Sequence, residues 1–164
     1  MDTVLIREMT QNDRIGVSEI YTYAIEEGSS TFTYHCPSYS QWDEEHHKDC
    51  RYVAEIDGNA TGWCALSPTS PKEAYSGVAE VSIYIAPSHR HKGVGTLLLE
   101  HLITESEKAG YWCLYVSIFS SNKQSIRLHE KCGFRLIGYR EKIAKDIFGN
   151  WQDTTLMERR SKNI

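Results

Sequence analysis

Glu80-Val81-Ser82-Ile83-Tyr84-Ile85-Ala86-Pro87-Ser88-His89-Arg90-His91-Lys92-Gly93-Val94-Gly95-Thr96-Leu97-Leu98-Leu99 is the stretch from which the rest of the chain can be read. Glu80 to Ile85 is rich in β-branched and aromatic residues and is stopped by Pro87, which reads as a strand. From Val94 to Ala109 the apolar residues at 94, 97, 98 and 102 have helical spacing, and Gly110 suits the stop. The turn between them, Arg90 to Thr96, is the sharpest local feature. Gly93 and Gly95 can adopt positive φ and let backbone approach a ligand closely. The amides of such a turn and of the first helical turn, among them those of His91, Val94 and Thr96, lack intrahelical partners. Aimed at one point and aided by the helix dipole, they form an anion site. Arg90 and Lys92 add positive charge, so a phosphate or pyrophosphate is the natural guest. The same glycines also suit plain helix-on-strand packing. The pattern is neither a Walker-type loop nor a full dinucleotide fingerprint.

Working outward, Val4 to Arg7 reads as a short strand. Thr10 to Asp13 caps a helix carrying Ile15, Ile20, Ala24 and Ile25. Ser29 to Pro37 reads as a loop and Trp42 to Lys48 as a short helix. Arg51 to Ile56 and Thr61 to Leu66, joined through Asp57-Gly58-Asn59, read as a hairpin. Beyond the central helix come a strand over Trp112 to Ile118, a helix over Asn122 to Cys132, a strand over Phe134 to Tyr139, a Gly149-Asn150 turn and a last strand at Thr154 to Met157. The order β-α-α-β-β-β-α-β-α-β-β implies an α/β or α+β fold, a mixed sheet with helices covering its faces. No repeat, linker or low-complexity tract interrupts it, so residues 1–164 read as one domain.

Composition bounds the function. The 164 residues carry a net charge of −4 and pI about 6.0, which speaks against a nucleic-acid footprint. The longest apolar run, Leu97-Leu98-Leu99, is far short of a membrane span. The N-terminus lacks the basic and apolar regions of a signal peptide, and five widely spaced cysteines without C-x-x-C suit reduced thiols in a cytoplasmic protein. His46-His47 with Cys50, and His89-x-His91, make no convincing four-ligand metal set, so no metal is expected.

The strand ending Tyr-Ile-Ala-Pro followed by Arg-x-x-Gly-x-Gly resembles the acetyl-CoA signature of the GNAT family of N-acetyltransferases. Asn122-Lys123-Gln124-Ser125 with His129-Glu130-Lys131-Cys132-Gly133-Phe134 resembles that family's second signature. Thr31-Phe32, Ala74-Tyr75, Leu128-His129-Glu130 and Phe148 to Asp153 are similar to its phosphinothricin and methionine sulfoximine acetyltransferase branch. That branch often has Arg where Lys72 stands and Lys where Ile147 stands. The resemblance implies a mostly antiparallel sheet with helices on both faces and a splayed strand pair at the cofactor slot. It implies acetyl-CoA as co-substrate, a small-molecule amine as acceptor, a homodimer, and a role in detoxification or resistance.

The chemistry then assigns candidates. An amine attacking a thioester is helped by a base, an oxyanion donor and an acid for the departing thiolate. The resemblance places the branch's catalytic glutamate at Glu80. Ile83, Tyr84 and Ile85 would offer main-chain groups to the pantetheine arm, and one of their amides to the oxyanion. His129 stands where many relatives carry a tyrosine taken as the acid, and its near-neutral reference pKa allows either proton role. Asn122 would cap its helix and bond the cofactor, with Ser125 one turn on. Thr31, Phe32, Lys72 and Tyr75 are candidates for the acceptor, the rings flanking an aliphatic chain and Lys72 meeting a carboxylate. Each residue has a plain structural reading too. Another amine, such as a peptide N-terminus or a polyamine, and a non-catalytic acyl-CoA sensor stay open as alternatives.

Overall fold

The computed structural model describes residues 2–164. Seven strands form one sheet in the order β1-β2-β3-β4-β5-β7-β6. They are β1 (Leu5–Glu8), β2 (Tyr52–Ile56), β3 (Asn59–Pro68), β4 (Val78–Ile85), β5 (Cys113–Phe119), β6 (Arg135–Lys145) and β7 (Trp151–Arg160). Every neighbouring pair is antiparallel except β4 with β5. Four helices complete the fold: α1 (Arg14–Glu27), α2 (Tyr39–Glu45), α3 (Val94–Lys108) and α4 (Lys123–Lys131). The mixed, mostly antiparallel sheet agrees with the expectation.

Alternation along the strands divides the core in two. On one face Ala54, Cys64, Leu66, Ala79, Val81, Leu114, Val116 and Met157 pack under Leu98, Leu99 and Leu102 of α3. On the other, Val53, Trp63 and Ala65 pack under Val17, Ile20 and Trp42 of α1 and α2. The helices thus cover both faces. Each fully buried leucine of α3 contributes about 1.5–3 kcal/mol relative to exposure.

Several boundaries and faces differ from the sequence reading. α1 buries Val17, Ile20, Ala24 and Ile25, while Ile15 is 69% exposed. Residues 17, 20 and 24 follow the helical period and 15 does not. In α3 Leu99 is buried and Leu97 faces out. α2 begins three residues early because Ser38 caps it, its hydroxyl accepting from the Gln41 amide in a reciprocal box. β6 and β7 run well past the expected ends, since each supplies the other's hydrogen bonds. The Asp57-Gly58 hairpin turn is as expected: both residues have positive φ, between Ile56 and its partner Asn59.

The feature that positions the site is a fork. β4 and β5 pair only through Val78↔Cys113, Ala79↔Leu114 and Glu80↔Tyr115. Past Glu80, β4 stays on β3 through Ile85, while β5 stays on β7 through Phe119. The edge of Val81–Ile85 that faces β5 therefore has no strand partner. Among the described residues no helix is long and apolar enough to cross a membrane.

Candidate active site

Two cavities meet at the fork, and Tyr84 and Ser30 line both. The first is a cleft of about 710 Å³ between the Arg90–Thr96 turn and α4. The second, of about 440 Å³, lies on the α1–α2 face of the sheet and holds Glu80.

The cleft gathers most of the expected cofactor residues: Ile83, Tyr84, Ile85, Arg90, His91, Gly93, Gly95, Thr96, Asn122 and Ser125. Gly93 is the N-cap of α3 at φ +82°, in the left-handed region, and no side chain caps the helix there. The amides of Val94, Gly95 and Thr96 are thus left without intrahelical partners. A Cβ on Gly95 would come within 3.3 Å of Leu128 in α4, so a larger residue would crowd the wall of the cleft. His91 also has positive φ, at 62°, which a histidine tolerates better than most side chains. Asn122 caps α4, its side-chain oxygen accepting from the Ser125 amide at 3.3 Å.

Val94 is buried in the core, which leaves its backbone amide as the group it can offer, as the sequence reading has it. The basic residues depart from that reading. Lys92 is exposed and does not line the cleft. The positive charge comes instead from Arg127 and Lys131 with Arg90. Lys123, Arg127 and Lys131 recur every four residues on α4, a basic stripe that helical spacing could have revealed. Arg90 itself is not free. Its two terminal nitrogens hold Glu27 at 2.9 and 2.6 Å, and its Nε donates to the Ile85 carbonyl at 3.2 Å. The guanidinium holds the Glu27 carboxyl below its ordinary range.

In the second cavity Glu80, Ser82 and Tyr84 alternate along β4 onto one face, where Thr31 and Phe32 also reach. Phe32 packs on Phe119 of β5, with ring centroids 4.5 Å apart. Tyr21 of α1 donates to Thr33 at 2.9 Å and packs its ring on Tyr84 at 5.0 Å, which ties the 29–35 loop to β4. Glu80 is half-buried, and desolvation alone pushes its carboxyl above the usual range. Burial likewise keeps the Tyr84 phenol protonated and drives His46, on the same wall, toward neutrality.

Lys72 and Tyr75 do not line this cavity. Both are exposed beside a 3₁₀ turn, Glu73–Tyr75, beyond the end of β3. His129 lines neither cavity and is fully buried in α4 against Phe134. Its Nδ1 donates to the Ser125 carbonyl at 2.7 Å, and its Nε2 has no partner. Burial pushes the imidazole down, so the ring is neutral, with its one proton engaged. Ser117, Thr154 and Ser67 line the cavity and were not read from the sequence, because no local motif marks them. Among the described residues no group of three or more His, Cys, Asp or Glu side chains could hold a metal ion.

Residues 17–134 match the acetyltransferase (GNAT) family. The chain belongs to that family. This GNAT acetyltransferase is 31% identical over 164 residues to a phosphinothricin N-acetyltransferase of Alcaligenes faecalis, covering 94% of this chain and 81% of that protein. It is 33% identical over 106 residues to the L-methionine sulfoximine/L-methionine sulfone acetyltransferase of Salmonella typhimurium, covering 65% of this chain and 61% of that one, so this chain spans under two thirds of that relative's length. Among solved structures, a ribosomal-protein-alanine N-acetyltransferase from Brucella melitensis superposes with TM-score 0.89 at 30% identity, over 96% of this chain and 99% of that one. A Sinorhizobium meliloti GNAT phosphinothricin acetyltransferase in complex with acetyl-CoA superposes with TM-score 0.88 at 27% identity, over 96% and 88%.

Proposed function

We propose that this acetyltransferase moves the acetyl group of acetyl-CoA to the α-amine of a small amino-acid analogue of the phosphinothricin, methionine sulfoximine or methionine sulfone type. The observation that carries the reading is the position of Glu80. It is the last paired residue of β4 before the fork, with a desolvated carboxylate in the cavity that adjoins the cofactor cleft. The relatives named above support the acceptor class.

In this reading the free amides at the start of α3, with Arg127 and Lys131, hold the pyrophosphate and phosphate end of acetyl-CoA. The unpaired edge of Val81–Ile85 meets the pantetheine arm and supplies an amide for the oxyanion. Glu80 takes the proton from the attacking amine. His129 is left out of the proton path, since its Nδ1–H is engaged and its neutral ring has no second proton to give. The thiolate leaves to solvent.

The same proposal extends to assembly and setting. β6 is an edge strand, and Leu136, Ile137, Tyr139 and Ile143 on it, with Phe148 and Trp151 beyond, are exposed apolar residues. Such an edge and patch favour a second copy of this chain as partner. Net charge −4 and reduced cysteines support a cytoplasmic protein without a nucleic-acid or membrane partner. Acetylation of a toxic analogue's amine would be detoxification.

A second reading, a peptide N-terminal amine as acceptor, is favoured by the likeness to the ribosomal-protein-alanine enzyme. A thiol-release assay with acetyl-CoA against methionine sulfone, methionine sulfoximine, phosphinothricin, alanine-terminated peptides and polyamines separates the two. Release with the amino-acid analogues supports the first reading. Release with peptides or polyamines alone overturns it.

A further inference from the structure

Phe119 and Thr154 face each other across β5 and β7. The pleat that turns Val116, Ile118 and Met157 into the α3 core therefore turns Ser117, Phe119 and Thr154 onto the wall that holds Glu80. Thr154 is 2% exposed, and its hydroxyl has no hydrogen-bond partner among the described residues. A buried hydroxyl left unpaired is costly, whereas valine would fill the same space with no polar atom. A ligand atom in the cavity is the partner that would satisfy it. The surroundings narrow which atom. Phe32 and Phe119 pair beside it, Ser82 and Ser117 add hydroxyls, and no lysine or arginine lines the cavity. That combination suits a short aliphatic chain ending in an uncharged oxygen.

We propose that Thr154 is a specificity-determining residue whose hydroxyl donates a hydrogen bond to a neutral side-chain oxygen of the acceptor, so that a sulfone or sulfoximine is favoured over the corresponding thioether. The assignment rests on the amino-acid-analogue reading above and deepens it. A site built to bond an oxygen discriminates strongly against an analogue that lacks it, because its own polar group is then stranded.

The test compares kcat/KM for methionine sulfone and for methionine in the wild type, Thr154→Val and Thr154→Ser, with thermal unfolding of each. In Thr154→Val the sulfone-to-methionine ratio should fall by about tenfold or more. Thr154→Ser, which keeps the hydroxyl, should retain most of the wild-type ratio. The valine variant should unfold no lower than the wild type, since it removes an unpaired polar group. An unchanged ratio in a folded Thr154→Val, or equal loss on both acceptors, overturns the role of Thr154 while the amino-acid reading stands. A wild type that acetylates neither acceptor, but does acetylate peptides, overturns the reading itself.

Discussion

Replacing Glu80 by Gln keeps the shape of the side chain and removes its charge and its capacity to take a proton. The carboxylate sits at the last β4–β5 pair, half-buried, with desolvation as the sole cause raising its pKa. Loss of a positioned base typically costs about 10²-fold or more, which is about 2.7 kcal/mol on the barrier. Turnover at neutral pH should fall by that factor in a thiol-release assay, with acetyl-CoA affinity unchanged by calorimetry. In the wild type, kcat/KM should rise with pH as Glu80 ionises and then level off. Burial raises the carboxyl, so this limb lies above the ordinary glutamate value of about 4.3, and it should vanish in the variant. Stability moves the other way. A carboxyl whose folded pKa is raised stabilises the fold below its unfolded pKa and loses that contribution as pH rises through the folded pKa. Glutamine mimics the protonated form, so Glu80→Gln should melt higher than the wild type near neutrality and equally in acid. Near-wild-type turnover with the pH limb intact would remove Glu80 from the reaction. A lower melting temperature near neutrality would show that the carboxylate makes a stabilising contact absent from this structure.

Gly93→Ala places a Cβ at φ +82° with no neighbour within 4 Å, so its cost is backbone strain alone. It should destabilise by about 1 kcal/mol, lower Tm by about 2–4 °C, and raise the KM for acetyl-CoA. Arg127→Ala should raise the KM for acetyl-CoA with little effect on acceptor KM, and should weaken the salt dependence of binding. Asp13 is buried against Arg7, with both oxygens at 2.8 Å, and this pairing holds its carboxyl below the usual range. Asp13→Asn should cost about 1–3 kcal/mol near pH 7 in denaturant unfolding. That gap should close as pH falls through the lowered folded pKa, below the ordinary value of about 3.9, because the stabilisation exists only while Asp13 is ionised. Leu136→Glu, on the exposed edge of β6, tests the proposed second copy: the wild type should sediment as two chains and the variant toward one, without unfolding; a wild type that sediments as one chain, or a variant that sediments as two, overturns that interface.

Where the sequence reading succeeded, neighbouring residues decide the structure. The Asp57-Gly58 turn, the Asn122 cap and the Gly93 helix start are set by φ preferences and by hydrogen bonds spanning at most a few residues. The same locality explains why Glu80 and the glycine turn could be read together: one strand, Glu80 to Ile85, leads from the proposed base to the turn. The placements that differ from expectation have one source as well. Similarity points to Lys72 and Tyr75, and in the single chain their side chains stand in an exposed segment past β3, outside the cavity lining. His129 has suitable chemistry for an acid, but its position in α4 buries it and engages its proton.

The amino-acid sequence by itself determined the strand, the glycine turn and the helix behind them, and with these the candidate anion site and the family. Tertiary structure alone decided where β4 parts from β5, that Thr154 comes opposite Phe119, and that Arg127 and Lys131 rather than Lys92 line the cleft. Turns and caps are local free-energy choices. Partners such as Glu80 with Tyr115, or Phe119 with Thr154, lie some 35 residues apart and meet only through the register of the whole sheet.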